Sequence, residues 1–132
     1  MPAPATTSPE AVVNALFGAL DEVDVDTVDA LFAADPQGVD ELSGGWRRGR
    51  AALHEHLAAV KAAGMANLRS TVSDLRLVDW GDTALATLVV EQTYTIDGRS
   101  RHIHAPTTIV LRREDGAWRI ALVHSVPLAE PR

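Results

Sequence analysis

The chain has no cysteine among its 132 residues. Disulfides and thiolate chemistry are therefore excluded, and a reducing cytoplasm is the expected setting. Basic charge is scarce: 12 Lys and Arg stand against 18 Asp and Glu, a net charge of −6. That balance argues against a nucleic-acid partner or a polybasic membrane patch. No apolar run approaches the ~20 residues needed to cross a bilayer, so no membrane partner is expected. Residues 1–7 have neither the basic start nor the apolar centre of a signal peptide, and read as a disordered tail. Repeats and low-complexity stretches are absent as well. What remains, 46% hydrophobic and 23% charged, is the composition of one globular domain, read here as residues 8–132.

The most regular pattern lies in residues 99–127, read as two strands joined by a turn. Thr107, Thr108, Ile109 and Val110 are β-branched or apolar in succession, and suit a pleated surface. Asp115-Gly116 is a hairpin signal, because Gly takes positive φ without a Cβ clash. Ile120, Leu122 and Val123 suggest a second arm covered on both faces. Pro127 ends it. Upstream, residues 68–78 and 83–96 also read as strands, with turns at Trp80-Gly81-Asp82 and Asp97-Gly98.

Helices precede the strands. Ser8-Pro9-Glu10 is a helix start: a capping hydroxyl, a proline suited to the first turn and an acid facing the dipole. Val12, Leu16 and Leu20 then form one apolar stripe. Asp24 or Asp26 caps a shorter second helix, which Asp35-Pro36 is expected to stop. A short strand near residues 39–42 and a loop follow. A third helix runs from Arg50 to Ala63, with Gly64 as its C-terminal cap. Helices followed by a strand meander give an α+β domain, with the helices on one face of a curved antiparallel sheet.

The order and spacing of several short motifs carry a resemblance. They are Asp24-Val25-Asp26, Ala30-Leu31-Phe32, residues 49–53, Gly81-Asp82-Thr83-Ala84, Ala105-Pro106-Thr107-Thr108, and residues 115–120 with His124-Ser125 behind them. Together they resemble the nuclear-transport-factor-2-like superfamily, which includes ketosteroid isomerase and the SnoaL-like polyketide cyclases. The resemblance implies a cone, with three N-terminal helices closing the concave side of the sheet. It also implies an apolar pocket at the wide end and an outer sheet face that often forms a homodimer. One fold hosts many activities, so the likeness alone assigns none.

Ketosteroid isomerase moves a proton beside a carbonyl with an Asp base and an oxyanion hole of Tyr and protonated Asp. By likeness, the base position falls on Asp40, the tyrosine position on Leu16 and the oxyanion Asp on Thr108. Leu16 cannot donate a hydrogen bond, and one such donor is commonly worth ~3 kcal/mol, so steroid isomerisation itself is not expected. Asp40 keeps two readings: a general base in an apolar pocket, or a loop carboxylate paired with Arg47, Arg48 or Arg50.

His124 is the second catalytic candidate, and Leu16, Trp46, His104 and Thr108 are the expected ligand contacts. Which face His124 occupies depends on the turn. A three-residue loop puts it with His102 and His104, and a two-residue loop flips it. A three-His site is allowed by that geometry, but no metal and no cofactor are expected. Two functions stay open. One is a proton-transfer enzyme of isomerase, cyclase or dehydratase type acting on a small apolar carbonyl compound. The other is a non-catalytic ligand-binding or interaction domain.

Overall fold

The structure is a computed structural model that describes residues 8–40 and 45–129, with Asp40 and Ala129 described by backbone alone. Helix α1 (Pro9–Asp21) starts where the capping signal puts it: Ser8 Oγ accepts from the Ala11 N–H at 3.1 Å. Helix α2 (Val25–Leu31) is capped by Asp24, whose carboxylate takes the Thr27 N–H at 3.1 Å and the Thr27 hydroxyl at 2.6 Å. Helix α3 (Arg50–Ala62) is anchored by the Arg50 guanidinium, which donates to the Asp29 carbonyl at 2.9 Å and pairs with its carboxylate at 3.2 Å.

Seven strands make one open, curved sheet: β1 (Phe32–Asp40), β2 (Gly45–Arg48), β3 (Ala66–Asp79), β4 (Thr83–Ile96), β5 (Arg99–Glu114), β6 (Ala117–Ser125) and β7 (Leu128–Ala129). Six of them follow the order β2-β1-β6-β5-β4-β3, and β7 pairs with β5. The expected α+β architecture is present, with the β5–β6 hairpin in the middle of the sheet. Two details differ from the sequence reading. The sheet is mixed, because β1 runs parallel to β6. Pro36 also does not stop α2. That helix ends at Leu31, and β1 runs on through Pro36 to Asp40. A proline fits there because the β1–β6 ladder is irregular between Phe32 and Gln37, so no regular ladder donor is lost.

The β4–β5 and β5–β6 turns are two-residue loops. Asp97-Gly98 and Asp115-Gly116 carry positive φ at all four residues, the backbone that matches strand twist. Strand β3 is bent by two register shifts, next to Asn67 and Asp74, and both residues also take positive φ (58° and 51°). Asn and Asp tolerate that region better than other side chains, so the bulges fall where the chain can curl.

The core lies between α1 and the concave face. Ala84, Ala86, Leu88 and Val90 alternate inward on β4, and Ala105, Thr107, Ile109 and Leu111 do so on β5. Trp118 and Ile120 continue the layer on β6, against Val12, Val13, Leu16 and Phe17 of α1. Each fully buried aliphatic side chain contributes about 1.5–3 kcal/mol. Helix α3 covers β1 instead, with Leu53 over Gly38.

Candidate functional site

Strand directions bring several chain segments to one end of the sheet. The ends of β1, β4 and β6 and the starts of β2, β3 and β5 all meet there. On the concave face at that end the alternation places Thr107 of β5 beside Ser125 of β6, their hydroxyl oxygens 2.9 Å apart. Thr107 is 4% exposed, and its hydroxyl also donates to the Ala105 carbonyl at 3.0 Å. A hydroxyl has one proton. With Thr107 donating to that carbonyl, the Ser125 proton points to Thr107 and is the one that can turn toward a ligand.

Strand β1 flanks Ser125 on the other side. Gly38 pairs with Val123, so two residues further along the parallel ladder Asp40 reaches the level of Ser125. Its backbone pairs outward with Gly45. Asp40, Ser125 and Thr107 thus occupy one row across three adjacent strands, about 10 Å from end to end at the usual strand spacing. The Asp40 side chain, and residues 41–44 after it, lie outside the described residues.

A second polar group borders the same concave end. Gln92 Nε2 donates to Ser70 Oγ at 3.1 Å, and the Ser70 N–H donates to Asp21 Oδ2 at 3.1 Å. The other carboxylate oxygen, Asp21 Oδ1, is enclosed and accepts no hydrogen bond among the described residues. Buried acceptors are usually satisfied, so this oxygen is set up to receive a donor. Leu20, Leu57, Val72 and Val123 are partly buried around the core and supply apolar surface. These apolar side chains stand beside a few hydroxyl, amide and carboxylate groups, the kinds of residue that make up small-molecule sites.

The residues singled out from sequence distribute differently from expectation. Leu16 is a core residue, 2% exposed. Thr108 faces the outer side, opposite His124 and Thr87, and its neighbour Thr107 faces in. In a strand one residue reverses the face. His124 is exposed on the outer face. Its ring centre lies 5.9 Å from that of Trp46, which is itself 46% exposed beneath the Arg48 guanidinium at 5.7 Å. Neither faces the concave side. His104 is half-buried, also on the outer face, opposite Glu91 and Leu128.

The turn after β5 is the two-residue form, yet His124 shares a face with His102 and His104. A bulge between Val110 and Leu111 on one side and Ala121 on the other moves the register by one and reverses the expected flip. The histidines do not converge. His124 sits opposite Thr108, four residues (about 13 Å of strand) from His104. His102 Nε2 lies 3.7 Å from Glu91. Among the described residues no three His, Asp or Glu side chains are grouped to hold a metal. Ser70, Gln92, Thr107, Ser125 and Asp21 were not singled out from sequence. Period-2 alternation on β5 carried the signal for Thr107, but the bulge hid the one for Ser125.

A family model described as a SnoaL-like domain matches residues 10–129. No curated protein matches the chain. Among solved structures, one from Streptomyces avermitilis, provisionally named a dehydratase of the nuclear transport factor 2-like family, superposes with TM-score 0.81 at 19% identity. It covers 92% of this chain and 94% of that one. A ketosteroid isomerase-like protein from Erwinia carotovora atroseptica gives TM-score 0.80 at 19% identity, with the same two coverages of 92% and 94%. A protein from Thiobacillus denitrificans, provisionally named a calcium/calmodulin-dependent protein kinase type II association domain, gives TM-score 0.75 at 27% identity over 96% of this chain and 99% of that one. These likenesses establish the fold that the sequence motifs implied.

Proposed function

The chain belongs to the SnoaL-like domain family, and from that premise we propose that its concave end binds a small apolar carbonyl compound and moves a proton on it. The observation that carries the reading is the row Asp40, Ser125, Thr107. In this reading the Asp40 carboxylate takes a proton from the carbon next to the carbonyl. The electron pair moves onto oxygen to give an enolate, and Ser125 turns its hydroxyl to that oxygen. The proton then returns at the same or a neighbouring carbon, so the step is redox-neutral. A single hydroxyl donor stabilises an enolate less than the Tyr and protonated Asp of the isomerase, so the activity is expected on acidic substrates rather than on steroids. His124 has no part in this mechanism.

Two further elements belong to the same proposal. The first is a homodimer through the outer sheet face. Leu85, Val89, Val110 and Leu122 are half-buried there, and Val78 and Leu128 are 44% and 50% exposed. Apolar side chains in that arrangement favour a partner surface. The second is a cytoplasmic setting, which a cysteine-free chain suits. The likeness to a protein named as an association domain favours the alternative, an interaction domain without chemistry.

The test is deuterium uptake from D2O into a panel of cyclic and aromatic ketones, followed by NMR. Wild-type protein should accelerate exchange, and Asp40→Asn should reduce the rate at least ~100-fold while leaving ligand affinity largely unchanged. Exchange by Asp40→Asn at the wild-type rate would remove Asp40 as the base. Ligand binding by the wild type without exchange would favour the non-catalytic alternative.

A further inference from the structure

At the same end of the sheet, beyond Ser70 and Gln92, the tip of the β3–β4–β5 ribbon holds a cleft of about 410 Å³ that the function above does not use. It is lined by Asn67, Tyr94, Ser100, Arg101 and His102, with two threonines between them. No acidic residue lines it, although the chain as a whole carries 18 acids and a net charge of −6.

Strand pairing concentrates cations here. Arg69, Thr93 and His102 form one row across three strands on the outer face, and Tyr94 with Arg101 forms the next, on the concave face. Arg99 opens β5 two rows beyond, on the same face as Arg101. Arginines elsewhere in the fold have assigned partners. Arg50 pairs with Asp29, Arg112 with Asp35 and Glu114, and Arg76 with Asp74. Arg113 stacks on Trp118, Arg48 donates to Gln37 and Arg119 donates to the Ala30 carbonyl. Arg69, Arg99 and Arg101 form no ion pair or hydrogen bond among the described residues. Of the acids nearby, Glu91 lies 3.7 Å from His102, and Asp97 stands in the turn just before Arg99. Asn67 is held in place by its amide donating to Thr95 Oγ1 at 3.2 Å, which in turn donates to the Ala66 carbonyl.

We propose that this cleft binds the carboxylate or phosphate group of a small-molecule anion. Arg101 supplies a planar fork that matches two anion oxygens, and Arg69 and Arg99 add long-range attraction. Tyr94, opposite Arg101 and on the same strand face, gives a neutral hydroxyl donor beside it. Gathering like charges on one ribbon is unfavourable, and an anion removes that repulsion. The proposal is independent of Asp40 and of proton transfer.

The experiment is an NMR titration of the arginine Nε–H and the His102 ring signals at fixed ionic strength. Inorganic phosphate, benzoate and chloride are added in separate arms. Saturating shifts with a dissociation constant on the order of a millimolar, for phosphate or benzoate but not chloride, are expected. The arm that saturates identifies the anion class. Arg101→Gln should weaken binding about tenfold, as expected for losing a charge-assisted pair, and Asp40→Asn should leave it unchanged. Shifts that follow ionic strength alone, or that are identical in Arg101→Gln, would overturn the proposal. Because Arg101 is exposed, its replacement leaves the fold intact, and an unchanged amide spectrum elsewhere verifies this.

Discussion

Gly38 stands where β1 passes beneath α3, and a Cβ built there would lie 2.9 Å from Leu53 Cδ2. Gly38→Val should therefore displace Leu53 and destabilise the protein by about 1–3 kcal/mol in urea unfolding. Adding Leu53→Ala should recover part of that loss, since neighbours in contact are not additive. Charge at single residues has a pH signature. The Glu114 carboxyl is held below its ordinary value near 4.5, first by the hydrogen bond from Arg112 and then by the Ala34 N–H. Asp24 is lowered too, first by the Thr27 hydroxyl and then by the Thr27 N–H. A depressed carboxylate stabilises the fold above its unfolded pKa, and that contribution is lost as pH falls through the folded value. Stability should thus decline below about pH 4.5, and Glu114→Gln should lower it at pH 7 while flattening the acid decline. Equal slopes in both proteins would show that the Arg112 pair contributes nothing.

Among the elements, those with a local cause were legible. The Ser8 cap, the Asp24 cap and the two Asp-Gly turns each act through their own backbone, and all are found where the residues imply them. Strand β4 has the bounds its alternation indicates. What was not legible depends on long-range pairing. The bulge at Ala121 has no glycine or Asx residue to mark it, yet it decides that Ser125 faces in and His124 faces out. The parallel pairing of β1 was hidden for a similar reason: Pro36 reads as a breaker unless the irregular ladder beside it is known. Two deletions isolate this. Removing Ala121 leaves Ile120 followed by Leu122, which preserves every pair beyond the bulge, so a single cooperative melt should persist. Removing Val123 reverses the faces of all residues after it and should abolish cooperative unfolding. Similar melts for the two deletions would contradict the bulge's role.

At the scale of the whole molecule, the sheet divides its work between two faces. The concave face carries the core and, at one end, Thr107, Ser125 and the Asp21–Ser70–Gln92 group. The outer face carries Trp46, His124, Leu122 and Val89. If that face forms a dimer, light scattering should give twice the mass of the 132-residue chain, and Val89→Arg should convert it to a monomer. A wild-type monomer at micromolar concentration would remove the dimer from the account. The central claim, that the concave end is the ligand site, is tested most directly by methyl NMR during titration with an apolar ketone that supports deuterium exchange. Within single strands the inner methyls, Leu88 and Val90 on β4 and Val123 on β6, should shift and saturate, while the outer methyls of Val89 and Leu122 stay still. Saturating shifts of Val89 and Leu122 with Val90 and Val123 unmoved would contradict it.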